Sequence, residues 1–185
     1  MDISTRISGA RSCPAFLRGQ TPTVERRSTG QEAAGCLVMD LPFSPLAADA
    51  ARIAVAAALV GYEPGDLIDE ARLICSELAT NALQSGSPPV VLTVDWAAPP
   101  QGGLDVEITV TDGGHGHARP PEHRTHATLP ADNAEEGRGL FLVQTLATAW
   151  SLDLGAEASR AWCLLRIACG SDQAHAPAIN GRTSQ

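Results

Sequence analysis

Leu104, Val106, Ile108 and Val110 alternate with Asp105, Glu107 and Thr109, the two-residue period of a strand with one buried face. Val90 to Trp96 predicts a partner strand, and the connection Ala97 to Gly103, with two Pro and two Gly, predicts a hairpin loop. Upstream, the Ala-rich run Leu46 to Val60 predicts a helix. Gly61 to Gly65 reads as a turn, and Asp66 as a cap for a second helix reaching Gln84, with Leu73, Ile74, Leu78 and Ala82 on its apolar side. Ser85-Gly86-Ser87-Pro88-Pro89 stops that helix. A short strand over Cys36 to Leu41 precedes the first helix, and Pro42 and Pro45 end it. Residues 113–137 form a long irregular stretch of Gly, Pro and His, the kind of loop that serves as a lid or binding loop. A third helix is expected from Arg138 to Ala147, then strands Ala149 to Leu154 and Ala161 to Ala168. The order predicts an α+β fold, a two-layer sandwich with helices packed on one face of a mostly antiparallel sheet.

The 185 residues suit one domain with loose ends. Residues 1–32, rich in Ser, Thr, Gly and Arg, read as a mobile N-terminal arm, residues 33–170 as the domain, and residues 171–185 as a polar tail. The net charge of −8 argues against a broad nucleic-acid surface, which needs clustered Arg or Lys. The sequence contains no lysine, so neither a P-loop nor a eukaryotic-type kinase site can be built from it. Five cysteines with no C-x-x-C spacing read as small buried thiols in a reducing cytosol. The start lacks the pattern of a signal peptide, and the longest apolar stretch, Ile53 to Val60, is too short to cross a bilayer. The expectation is a cytoplasmic protein with no membrane contact.

Three segments carry candidate chemistry. Glu77 and Asn81, in Glu77-Leu78-Ala79-Thr80-Asn81-Ala82-Leu83, lie one helical turn apart on one face. A carboxylate and an amide so placed can hold a divalent ion and a reacting hydroxyl, although an exposed polar pair looks the same. Asp112-Gly113-Gly114-His115-Gly116 follows an alternating strand. It reads as a turn, or as a carboxylate accepting from the exocyclic amine of adenine while glycines let backbone approach the base. Glu136-Gly137-Arg138-Gly139-Leu140 opens the third helix. It reads as a helix-entry turn, or as backbone N–H groups turned to an anion.

Together and in this order, the three segments resemble the GHKL superfamily of Bergerat-fold ATPases. The resemblance is to its smallest branch, the stand-alone domains of anti-sigma-factor serine/threonine kinases and their actinobacterial relatives. It covers roughly Leu37 to Ala168 and implies ATP and Mg²⁺ as ligands. By matching position, it implies that Asn81 coordinates Mg²⁺, Asp112 reads adenine, and Gly114 and Gly116 shape the base pocket. Gly137 and Gly139 would offer backbone to the phosphates, with Arg138 and Leu140 in the same turn and Arg138 balancing phosphate charge. Glu77 would be the general base. The implied partners are a sigma factor and/or an anti-anti-sigma-type protein, without direct nucleic-acid contact, and a homodimer is an allowed assembly. Two departures stand out: Ser85-Gly86 where many relatives have His-Gly, and Ser159-Arg160 where many have Gly-Lys. Neither is expected to touch the adenine, metal or base residues.

Two other readings compete with the kinase. One is a non-catalytic ATP-binding module that works by partner binding. The other is a zinc site in the long loop, where His115, His117, His123 and His126 crowd together without the usual ligand spacing. A sensor histidine kinase is disfavoured because no His precedes the first helix. A gyrase- or chaperone-like ATPase is disfavoured because no transducer segment follows.

Overall fold

The computed structural model describes residues 23–29, 32–62, 65–99, 102–117, 120–127 and 138–167. The expected tail and Gly137 therefore lie outside the described residues. Among the described residues, seven strands form one sheet: β1 (Thr23–Thr29), β2 (Glu32–Leu41), β3 (Val90–Ala98), β4 (Leu104–Asp112), β5 (Glu122–Arg124), β6 (Ala149–Leu154) and β7 (Ser159–Ile167). Their order is β1-β2-β3-β4-β7-β6-β5, and every neighbouring pair is antiparallel. The helices are α1 (Ala47–Ala58), α2 (Gly65–Ser85) and α3 (Arg138–Leu146). The fold is the expected α+β two-layer sandwich.

The alternation in β3 and β4 selects the buried face. Val90, Leu92, Val94 and Trp96 face the core together with Leu104, Val106, Ile108 and Val110. A one-residue slip of either strand in this register would turn its four core residues to the other face. From α2, Leu67, Ala71, Ile74, Cys75, Leu78, Ala79 and Ala82 form the stripe that packs down onto the sheet. Alanines on both helices, Ala47, Ala51, Ala54 and Ala58 on α1 and Ala71 and Ala79 on α2, fill the core where bulkier side chains would hold the layers apart. Trp96 is held at its polar end by donating Nε1–H to the Tyr62 hydroxyl at 3.0 Å. Truncating a fully buried aliphatic in this layer, such as Ile74 or Leu78, removes packing worth about 2–5 kcal/mol.

Four expectations need correction. The segment Thr23–Thr29, assigned to the arm, is β1 and pairs with β2 along its whole length. The long loop after β4 is not wholly irregular, because Glu122–Arg124 forms β5 against β6. Asp66 lies inside the first turn of α2 rather than before it, where its charge still suits the helix N-terminus. The cysteines also divide. Cys75 and Cys163 are free and buried, and burial pushes both thiols up to about 12. Cys36 is disulfide-bonded, unlike the reduced thiol expected.

On the face of the sheet away from the helices, Asp95 stands between Cys36 on β2 and Glu107 on β4. Burial, then the Glu107 charge, push its carboxyl up to about 6. An unfolded Asp ionises near 4, so the native state holds this proton more tightly. The resulting stabilisation is complete below the unfolded value and is lost as the pH climbs through about 6. Asp95→Asn is therefore expected to match the wild-type Tm at pH 4 and exceed it at pH 7.5. Thermal melts across that range check this, and parallel curves would contradict it.

Candidate functional site

The three chemistry-bearing segments meet along α2. Glu77 and Asn81 are half-buried in its C-terminal half, one turn apart. Gly139, in the first turn of α3, lies against the Glu77 carboxylate so closely that a Cβ there would collide with Oε2. Five residues beyond Asn81, the helix exits at Gly86, whose N–H donates to the Ala82 carbonyl at 3.0 Å. Gly86 packs on the Asp112 side chain, and a Cβ at that position would lie 2.5 Å from Oδ1 and 2.7 Å from Oδ2. From Glu77 to Gly86 the helix rises about 13 Å at 1.5 Å per residue. Along α2, Glu77 thus meets α3 at Gly139, Asn81 follows one turn later, and the helix exit at Gly86 meets Asp112.

The turn after β4 is held tightly. Gly114 donates its N–H to Asp112 Oδ1 at 2.7 Å, a bond that closes the turn on its own carboxylate. Among the described residues this is the one hydrogen bond to the Asp112 carboxylate, and it falls on Oδ1. Gly114 has φ +79°, and a Cβ there would lie 2.5 Å from the Ala156 carbonyl, so both conformation and space call for glycine. Gly113 donates to the Ser87 carbonyl at 2.6 Å, and the Ser87 hydroxyl donates to the Gly114 carbonyl at 2.9 Å. On the other side, His115 and Gly116 donate to the carbonyls of Gly155 and Ala156, at 3.1 and 3.0 Å. Gly116 shares the left-handed backbone, at φ +74°, but faces open space.

Asn81 provides a direct test of whether a ligand fits here. Its Nδ2 is buried and has no hydrogen-bond partner among the described residues. A buried amide left unpaired costs about 1–3 kcal/mol. An acceptor from a bound molecule would relieve that cost. Rotating the same amide by half a turn presents Oδ1 instead, the hard oxygen donor that Mg²⁺ takes alongside phosphate oxygens and water. The donor set therefore fits a magnesium-bound phosphate ester: one amide for the ion, one carboxylate for a base, and a second carboxylate between them and α3.

Arg138 is exposed at the start of α3, and Leu140 packs against the core. The long loop is anchored to α3 by Gln144, whose side-chain amide accepts from the Ala127 N–H at 2.7 Å and donates to the Ala127 carbonyl at 3.1 Å. The loop histidines do not assemble. His123 pairs with Asp153, His115 Nδ1 lies 3.0 Å from the Gly116 carbonyl, and no group of three metal-ligating side chains occurs among the described residues.

Of the two departures, Ser85 is exposed, and it is Gly86, the position shared with relatives, that touches Asp112. The second departure corrects the expectation: Ser159 is buried opposite Asp112 in the β4–β7 register, with Arg160 opposite Thr111. Gly86, Ser87, Gly155 and Ala156 are site residues that reading the chain did not select. The signal for Gly86 was present, but Ser85-Gly86-Ser87-Pro88-Pro89 reads first as a helix stop.

The Gly139 contact makes a prediction. Alanine in the helix in place of glycine gains about 0.5–1 kcal/mol of helix preference. Its Cβ displaces only the flexible end of Glu77. Gly139→Ala is expected to keep or raise Tm and to retain nucleotide binding while phosphotransfer falls. Calorimetry beside a turnover assay checks this, and unchanged turnover would remove Glu77's orientation from the account.

A family model described as the histidine kinase-like ATPase domain matches residues 42–162. The chain belongs to that family, an ATP-binding domain of the GHKL type. No curated protein matches the chain. None of the described helices is long and apolar enough to cross a membrane.

Proposed function

We propose that this domain binds ATP with Mg²⁺ and phosphorylates a serine or threonine of a small anti-anti-sigma-type protein, sequesters a sigma factor, or does both in turn, in the cytoplasm. The observation that carries the reading is that α2 meets Asp112 at its exit and Gly139 of α3 at Glu77, with the unpaired buried amide of Asn81 on the helix between these two contacts. When bound, Mg²⁺-ATP supplies the phosphoryl group and neutralises the charge around it.

The chain's own residues do the rest. Asp112 Oδ2 accepts from the exocyclic amine of adenine while Oδ1 stays committed to Gly114. Asn81 is the residue that would hold the ion. Glu77, confined by Gly139, would take the proton from the acceptor hydroxyl as its oxygen bonds the terminal phosphorus of ATP and the bond to the ADP leaving group breaks. The first-turn backbone of α3 faces the phosphates with the positive end of the helix dipole. Confining the reactants in this order is where such catalysis gains most of its rate.

The test is incubation with terminally labelled Mg²⁺-ATP and an anti-anti-sigma-type protein carrying a target serine. Label on that serine is the expected result. Tight ATP binding with no label on any such partner would leave the domain a binding module.

A further inference from the structure

We infer that Ser87, in the connection between α2 and β3, is a positioning residue that sets the adenine selectivity of the site. The inference rests on the reading of Asp112 as the adenine acceptor. Ser87 and Gly114 are 27 positions apart in sequence, yet Ser87 bonds twice to the turn after β4, once to Gly114 and once to Gly113. The Ser87 hydroxyl donates to the Gly114 carbonyl at 2.9 Å, and the Ser87 carbonyl accepts from Gly113 at 2.6 Å. Gly114 is buried and sits at φ +79°, where the absence of a Cβ lets adjoining peptide units rotate at little cost. The peptide that follows it is fixed from two sides: Ser87 Oγ holds its carbonyl, and the Gly155 carbonyl holds the His115 N–H. The N–H on the other side of Gly114 fixes Asp112 Oδ1.

A single hydroxyl therefore stands behind the orientation of the base-reading carboxylate. Without it, the Gly114 carbonyl is a buried acceptor with no partner, and the turn must rotate to find one. Rotation withdraws the Gly114 N–H from Asp112 and frees the carboxylate to turn. The feature lost first is discrimination. Adenine presents an amine donor where guanine presents a carbonyl oxygen, and only a fixed carboxylate favours the first and repels the second. Because Ser87 follows directly from the exit of α2, it also couples the helix that carries Asn81 to the turn that carries Asp112.

The experiment is titration of wild type, Ser87→Ala and Ser87→Thr with Mg²⁺-ATP and Mg²⁺-GTP, each beside a thermal melt. The expected result is that Ser87→Ala binds ATP about tenfold more weakly, a loss of one hydrogen bond's worth of affinity, with the ATP-over-GTP ratio collapsing toward one. Ser87→Thr, which keeps the hydroxyl, is expected to restore the ratio. Should Ser87→Ala fail to fold, Ser87→Thr against Ser87→Val, alike in shape and differing by the hydroxyl, gives the same comparison. An unchanged ratio in Ser87→Ala, or Val equal to Thr, overturns the inference. Failure of wild type itself to bind ATP would instead overturn the reading of Asp112, so the two failures are distinct.

Discussion

Gly86→Ala will weaken ATP binding about 10- to 100-fold in a domain that stays folded. The glycine is not in the left-handed region, so alanine meets no backbone penalty. What it meets is the Asp112 carboxylate, with both oxygens within 2.7 Å of the new Cβ. No well-packed Cβ tolerates that approach, and the side chain that yields is Asp112. A charged hydrogen bond to a ligand is worth about 1.5–3 kcal/mol, so the expected weakening is about 10- to 100-fold. The measurement is a Mg²⁺-ATP titration paired with a melt. Wild-type affinity in a folded Gly86→Ala protein would show that Asp112 does not read the base.

Glu77→Gln separates binding from chemistry. Glutamine keeps the length and shape that fit against Gly139 but cannot accept a proton at neutral pH. Removing a general base costs about 100- to 10,000-fold in rate. ATP affinity is expected to stay within about twofold, because the proposed role of Glu77 is toward the acceptor hydroxyl rather than the nucleotide base. Single-turnover transfer measured beside equilibrium binding checks both halves. A Gln variant as fast as wild type would move the base elsewhere, and one that also lost ATP would make Glu77 a binding residue.

Much of the fold was legible because burial imposes a period. The β4 alternation, the apolar side of α2 and the glycine-rich turns between elements each follow from one physical demand, and the structure meets them within a residue or two. β1 was not legible. Thr23–Thr29 offers one large aliphatic, Val24, among charged and hydroxyl residues, and a sheet edge does not impose the alternation that a central strand needs. β5, at three residues, is too short to show any period. At the site, the sequence pointed to residue types and left their contacts unspecified. Glu77, Asn81 and Asp112 could be nominated from chemistry. That Gly86 and Gly139 are small to make room for two of those carboxylates is a contact between distant segments, and nothing local records it. The same holds for the unpaired state of Asn81 Nδ2, which depends on which groups fail to arrive.

The central claim is that Asp112 holds an adenine ring in a site completed by Asn81 and a magnesium ion. Calorimetric titration of wild type and Asp112→Ala with ATP, with and without Mg²⁺, tests it most directly. The account predicts magnesium-dependent ATP binding by wild type and its loss in a folded Asp112→Ala protein. Equal binding by the two, or none by wild type at millimolar ATP, would contradict it.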